Sequence, residues 1–156
     1  MKKLGVDTLK KFLRWWSAAS EVFASFATKE EIDRVQRAFA RVLFRLPDKS
    51  FRRFISFKPY FLCSPRADAA IWRFRPKVQP GQRYADVRII YLPPDFNEYS
   101  DERLDFAIAH EVAHTVLDHN PLQYKTHRSE AESDVDALLK EWGFTQPKKA
   151  WRGERD

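Results

Sequence analysis

The chain has 156 residues, 44% hydrophobic and 15% aromatic, with a net charge of +6. That length is one domain by ordinary domain size, and the composition is that of a globular chain and excludes a disordered one. A single cysteine, Cys63, excludes an internal disulfide and any cysteine-rich zinc ribbon, so a metal site must be built from His and carboxylate.

The charge is unevenly placed. Residues 41–90 carry twelve Lys/Arg against three Asp/Glu, and residues 91–141 carry four against twelve. A basic half can attract nucleic acid, but no nucleic-acid-binding motif accompanies it, so a solvated basic surface is the expectation. Met1-Lys2-Lys3 has the charge of a signal peptide, but Asp7, Lys10, Lys11 and Arg14 interrupt any apolar segment behind it. No apolar run reaches the length of a spanning helix, and the expected compartment is the cytoplasm.

In chain order, Leu9, Phe12, Leu13, Trp16, Ala19, Val22, Phe23 and Phe26 recur at helical spacing and predict an amphipathic helix over 6–26. A second helix begins near Thr28, where Thr28-x-x-Glu31 fits a capping box. Its stripe is Ile32, Val35, Phe39, Val42 and Leu43, and Pro47 ends it at about Leu46. The stretch 51–92 is rich in aromatic and β-branched residues and broken by prolines. It predicts strands at about 58–63, 69–75 and 86–92, the last at a sheet edge before Pro93-Pro94.

Ser100 then caps a helix whose first turn carries Asp101 and Glu102. Leu104, Phe106, Ala107, Ile108, Ala109, Val112, Ala113, Val116 and Leu117 cover most of its circumference, the mark of a buried helix ending near Asp118–Asn120. Within it lie His110, Glu111 and His114. Residues four apart share one helical face, so the two imidazoles can meet one metal ion, and Glu111 can serve as proton acceptor for water there. Residues 120–128 form a polar loop. A last helix over 129–142 carries the stripe Ala131, Val135, Leu138, Leu139 and Trp142, with Gly143 as its left-handed cap.

A catalytic zinc takes three protein ligands. The last helix offers Glu132 with Asp136 one turn on, or Glu130 with Asp134; the second acid of either pair can hold a histidine N–H. At 100° per residue, Glu132 lies about 80° from the centre of the apolar stripe and Glu130 about 120° away, so Glu132 is preferred and Asp136 is its supporting acid. A capping box Ser129-x-x-Glu132 is the competing role for Glu132. His119 falls at the end of the central helix, where a positive charge is favoured over metal binding. Tyr124 and His127 lie in the loop and could donate to an oxyanion.

The stretches Ala107 to His119 and Glu132 to Phe144 resemble the gluzincin group of zinc metallopeptidases, most closely the small ImmA/IrrE-like and minigluzincin proteins. The resemblance implies His110, His114 and a downstream Glu as ligands of one Zn2+, Glu111 as general base, and an edge strand, here about 86–92, that holds an extended protein substrate. It also implies a regulatory peptidase. Together these give an α+β, zincin-like single domain over 1–156: a helical part at 1–50, a β-rich part at 51–99 with a small, mostly antiparallel sheet, metal-binding helices at 100–145 and a polar tail at 146–156. The alternative function is a catalytically silent, metal-stabilised regulatory or binding module.

Overall fold

The computed structural model describes residues 28–57, 60–63, 71–74, 87–92, 94–119 and 126–148. The expected helix over 6–26, the turns between the strands, Tyr124 and residues 149–156 of the polar tail lie outside them.

Helix α1 spans Lys29–Arg45. Both halves of its capping box form: the Glu31 N–H donates to Thr28 Oγ1 at 3.3 Å, and the Thr28 N–H donates to Glu31 Oε2 at 2.6 Å. Two of the free N–H groups of the first turn are thereby satisfied. Its buried face is Val35, Ala38, Phe39, Val42 and Leu43, joined by the charged Arg34.

Helix α2, Asp48–Ser56, begins directly after Pro47. No helix was expected there, because Pro47 reads as a stop and the aromatics after it read as β-rich. Proline lacks only a backbone donor, and the residues just before and at the start of a helix do not need one. The Pro47 carbonyl accepts from the Phe51 N–H at 3.0 Å. Phe51 and Phe54, three apart, are fully buried, and Arg52 pairs with Asp48 one turn back at 2.9 Å. The spacing is helical even though the residue types favour strand.

Three short strands follow: β1 (Tyr60–Cys63), β2 (Ile71–Phe74) and β3 (Val87–Leu92). They pair in the order β1-β3-β2. β3 runs parallel to β1, with Tyr60 opposite Ile89 and Cys63 opposite Leu92, and antiparallel to β2, with Ile71 opposite Ile90.

Two expectations are overturned here. The described residues are mostly helical, not an α+β domain with a mostly antiparallel sheet. Strand is a minor part of them, and one of its two pairings is parallel. Among the residues whose side chains are described, the buried apolar ones come overwhelmingly from the helices, and Ile90 and Leu92 of β3 join them. The sheet-based, zincin-like arrangement is therefore not the description of this fold. Nor is β3 an edge. It is paired on both sides, so its backbone has no free side to receive an extended substrate.

After a short 3-10 turn at Pro94–Asn97, helix α3 spans Asp101–Leu117. Ser100 caps it, its side chain accepting from the Arg103 N–H at 3.1 Å. Leu104, Ile108, Ala109, Val112 and Ala113 are buried to the last per cent, and α3 packs on α1, α2, β3 and a final helix, α4 (Arg128–Glu141). The alanines let those neighbours approach closely. Helix α4 buries Ala131, Val135 and Leu139. It stops at Gly143, whose φ of 77° suits a residue without Cβ. The Gly143 N–H donates to the Lys140 carbonyl at 3.0 Å and the Phe144 N–H to the Leu139 carbonyl at 2.8 Å, closing the helix with a Schellman turn. Phe144 is thereby folded back into the core, with the Arg45 guanidinium 3.8 Å from its ring centroid. Among the described residues no helix is long and apolar enough to cross a membrane.

Candidate metal centre

His110 and His114 stand one turn apart on α3, and their Nε2 atoms lie 3.0 Å from each other. The rings meet edge to face, with centroids 4.7 Å apart. Helix α4 packs against this face and brings Glu132 over the pair. Its Oε2 is 3.4 Å from His110 Nε2, and its Oε1 is 3.9 Å from His114 Nε2. The three residues form one group whose ligand atoms all lie within 4.8 Å of one another. Tetrahedral coordination with bonds of about 2.0–2.1 Å sets neighbouring ligand atoms about 3.3–3.5 Å apart. The two carboxylate distances and the His–His spacing bracket that value. The group could therefore hold a metal ion with small side-chain movement.

The protonation states agree with this geometry. Burial pushes His114 down to about 4, and His110 beside it pushes further the same way. Burial also lowers His110, although Glu132 and Asp136 oppose the shift. Both rings are then neutral at pH 7, with lone pairs free for a cation. Glu111 moves the other way: burial, then the charge of Glu132, raises it to about 8. Its carboxyl thus holds a proton at neutral pH while no cation is nearby.

The other residues singled out from the sequence are spread around this group. Glu130 and Asp134 are exposed and outside the cluster. The cap of α4 is His127, with no side-chain hydrogen bond to the helix, so the Ser129–Glu132 capping box does not form and Glu130 stands in the first turn. Asp136 is exposed, but its charge still reaches His110. His127 is exposed, with Nδ1 2.8 Å from Thr126 Oγ1, and it is not in the cluster. His119 is where sequence reasoning missed a contact. It stands beside His114, with the two Nδ1 atoms 2.9 Å apart. The available signal was its place five residues on, where a Schellman turn folds the chain back on the helix end.

Phe106, one turn before His110, has its ring centroid 6.5 Å from that imidazole. It also lines an open cleft of about 450 Å³ with Arg45, Glu102, Asp105, Phe144 and Lys148. The cleft therefore begins one helical turn from His110.

No protein-family model matches the chain, and neither a curated protein nor a solved structure matches it.

Proposed function

We propose that the chain is a zinc-dependent endopeptidase, with His110, His114 and Glu132 as ligands and Glu111 as the proton carrier. The observation that carries this reading is the group itself: two neutral imidazoles one turn apart, with Glu132 Oε2 on the facing helix 3.4 Å from His110 Nε2 and its Oε1 3.9 Å from His114 Nε2. Two His and one Glu are a ligand set that catalytic zinc sites use, and the His-Glu-x-x-His order supplies a carboxyl beside them.

When bound, zinc supplies a Lewis acid that polarises a carbonyl and makes water acidic near neutral pH. The protein's own part is proton transfer. Glu111 takes a proton as water adds to the peptide carbonyl, then gives it to the amine as the C–N bond breaks. That role needs a carboxylate free to take the proton, and a cation held by His110, His114 and Glu132 would favour the ionised form of Glu111. The cleft beside Phe106 gives a substrate side chain a place one turn from His110. The substrate is a protein, and the resemblance to ImmA/IrrE-like peptidases makes a regulatory one the expectation.

Metal content after purification tests the ligand set. Wild type should carry about one zinc per chain, Glu132→Ala should lose it, and Glu130→Ala should keep it. Loss of a ligand should exceed the about 10–100-fold that removing a supporting contact costs. Zinc retained by Glu132→Ala would refute the assignment. A mixed peptide library read by mass spectrometry tests the reaction. Zinc bound with no peptide cut would leave the silent module as the better reading.

A further inference from the structure

Helix α3 does not simply stop. Asp118 takes φ 62° and ψ 33°, the one non-glycine residue with positive φ among those described. Aspartate tolerates this region better than most side chains do. The Asp118 N–H donates to the Thr115 carbonyl at 3.2 Å, and the His119 N–H to the His114 carbonyl at 3.1 Å. These are the two bonds of a Schellman turn, and they bind the backbone of His119 to the backbone of His114.

The side chains follow. The rings of His114 and His119 have centroids 5.1 Å apart at 63°, and their Nδ1 atoms are 2.9 Å apart. His114 thus uses its two nitrogens in two directions: Nε2 faces His110 and Glu132, and Nδ1 faces His119. A neutral imidazole has one N–H and one lone pair. If Nε2 gives its lone pair to a cation, the proton must sit on Nδ1. The 2.9 Å contact then has only one sense. His114 Nδ1–H donates, and His119 Nδ1 accepts with its own proton on Nε2.

We infer that His119 is a positioning residue for the metal centre: it accepts the His114 Nδ1–H, and so fixes both the tautomer and the ring plane of the most buried ligand. This rests on the reading of His110, His114 and Glu132 as the ligand set. Ligating histidines usually give their second N–H to a carboxylate, a backbone carbonyl or water. Here the acceptor is a third imidazole, delivered by the turn that ends the same helix. It needs no residue from another element, and its placement is local to the sequence His114 to His119.

The test is zinc affinity, measured by chelator competition, for wild type, His119→Leu and His119→Asn. Asparagine carries an oxygen where histidine carries Nδ1, so it keeps the acceptor and loses the ring. His119→Leu should bind zinc about 10–100-fold more weakly, and His119→Asn close to wild type. A second readout needs no variant. In zinc-loaded wild type labelled with ¹⁵N, the His114 Nδ1–H should show coupling across the hydrogen bond to His119 Nδ1. His119→Leu binding as tightly as wild type, His119→Asn as weak as His119→Leu, or a missing coupling would each overturn the inference while leaving the metal reading intact. Wild type that takes up no zinc at all would overturn both.

Discussion

Replacing Glu111 by Gln should leave zinc bound and lower peptide cleavage by about 10²–10⁴-fold, the range that a positioned proton carrier supplies. Glutamine keeps the size and one oxygen of the side chain but cannot carry a proton between water and amine. The same substitution should show in metal binding. Without a cation, Glu111 has a pKa of about 8, raised by burial and by Glu132. A dication among His110, His114 and Glu132 cancels the Glu132 charge and favours the ionised form of Glu111. Zinc uptake at pH 7 should therefore expel the Glu111 proton, which about nine chains in ten then hold. His114, pushed down to about 4, has no proton left to lose at that pH. The sign follows directly: wild-type affinity should climb with pH up to about 8 and then lose that part of its slope, by at most about tenfold per pH unit. Calorimetry in buffers of different ionisation enthalpy reads the difference, and Glu111→Gln should release about one proton fewer than wild type. Equal release by both, or undiminished cleavage by the variant, would remove Glu111 from the mechanism.

How far such a site can be read from sequence depends on how local its parts are. His110 and His114 follow from the pitch of one helix. Choosing between Glu132 and Glu130 needed only the phase of a second helix against its own apolar stripe. Thr28 with Glu31, Ser100 and Gly143 mark helix ends because capping is settled within a few residues. The strands were placed to within two residues at each end, but their pairing was not legible. β1 reaches β3 across more than twenty residues, and nothing in either strand states that they run parallel. Helix α2 was hidden because Phe51, Phe54 and Ile55 have strand-favouring side chains at helical spacing, behind a proline. His119 was hidden for a different reason. Its contact depends on Asp118 entering the left-handed region, and a helical wheel ends where that turn begins. Arg34 was hidden because a lone arginine on a helix reads as wet surface.

Arg34 is instead where α1 holds the entry to α3, and Arg34→Met should cost about 2–4 kcal/mol of stability, the scale of taking a charged donor from several buried carbonyls. Its side chain is buried. The guanidinium donates to the Phe96 carbonyl at 2.9 Å, the Tyr99 carbonyl at 2.5 Å, the Asn97 carbonyl at 3.4 Å and Asp101 Oδ1 at 3.0 Å. Asp101 is largely solvent-exposed, so its ion pair is a small part of the loss. The larger part is the backbone of 96–99: the Asn97 and Tyr99 carbonyls lose the guanidinium, and the Phe96 carbonyl is left with the Tyr99 N–H at 3.3 Å, where a lost buried hydrogen bond costs about 1–3 kcal/mol. Methionine fills the space but donates nothing. Lysine keeps the charge but cannot fork across three carbonyls, so Arg34→Lys should recover less than half of the loss. Urea unfolding measures both, and Arg34→Met within about 1 kcal/mol of wild type would show that water replaces the guanidinium there. The metal site lies two to three turns further along α3 and is held by packing on α4, so the folded variant should bind zinc as wild type does. Zinc at about 100 times its dissociation constant should then restore about 2.7 kcal/mol by mass action. That recovery should vanish in Arg34→Met with Glu132→Ala, because the ion would no longer distinguish the folded chain from the unfolded one.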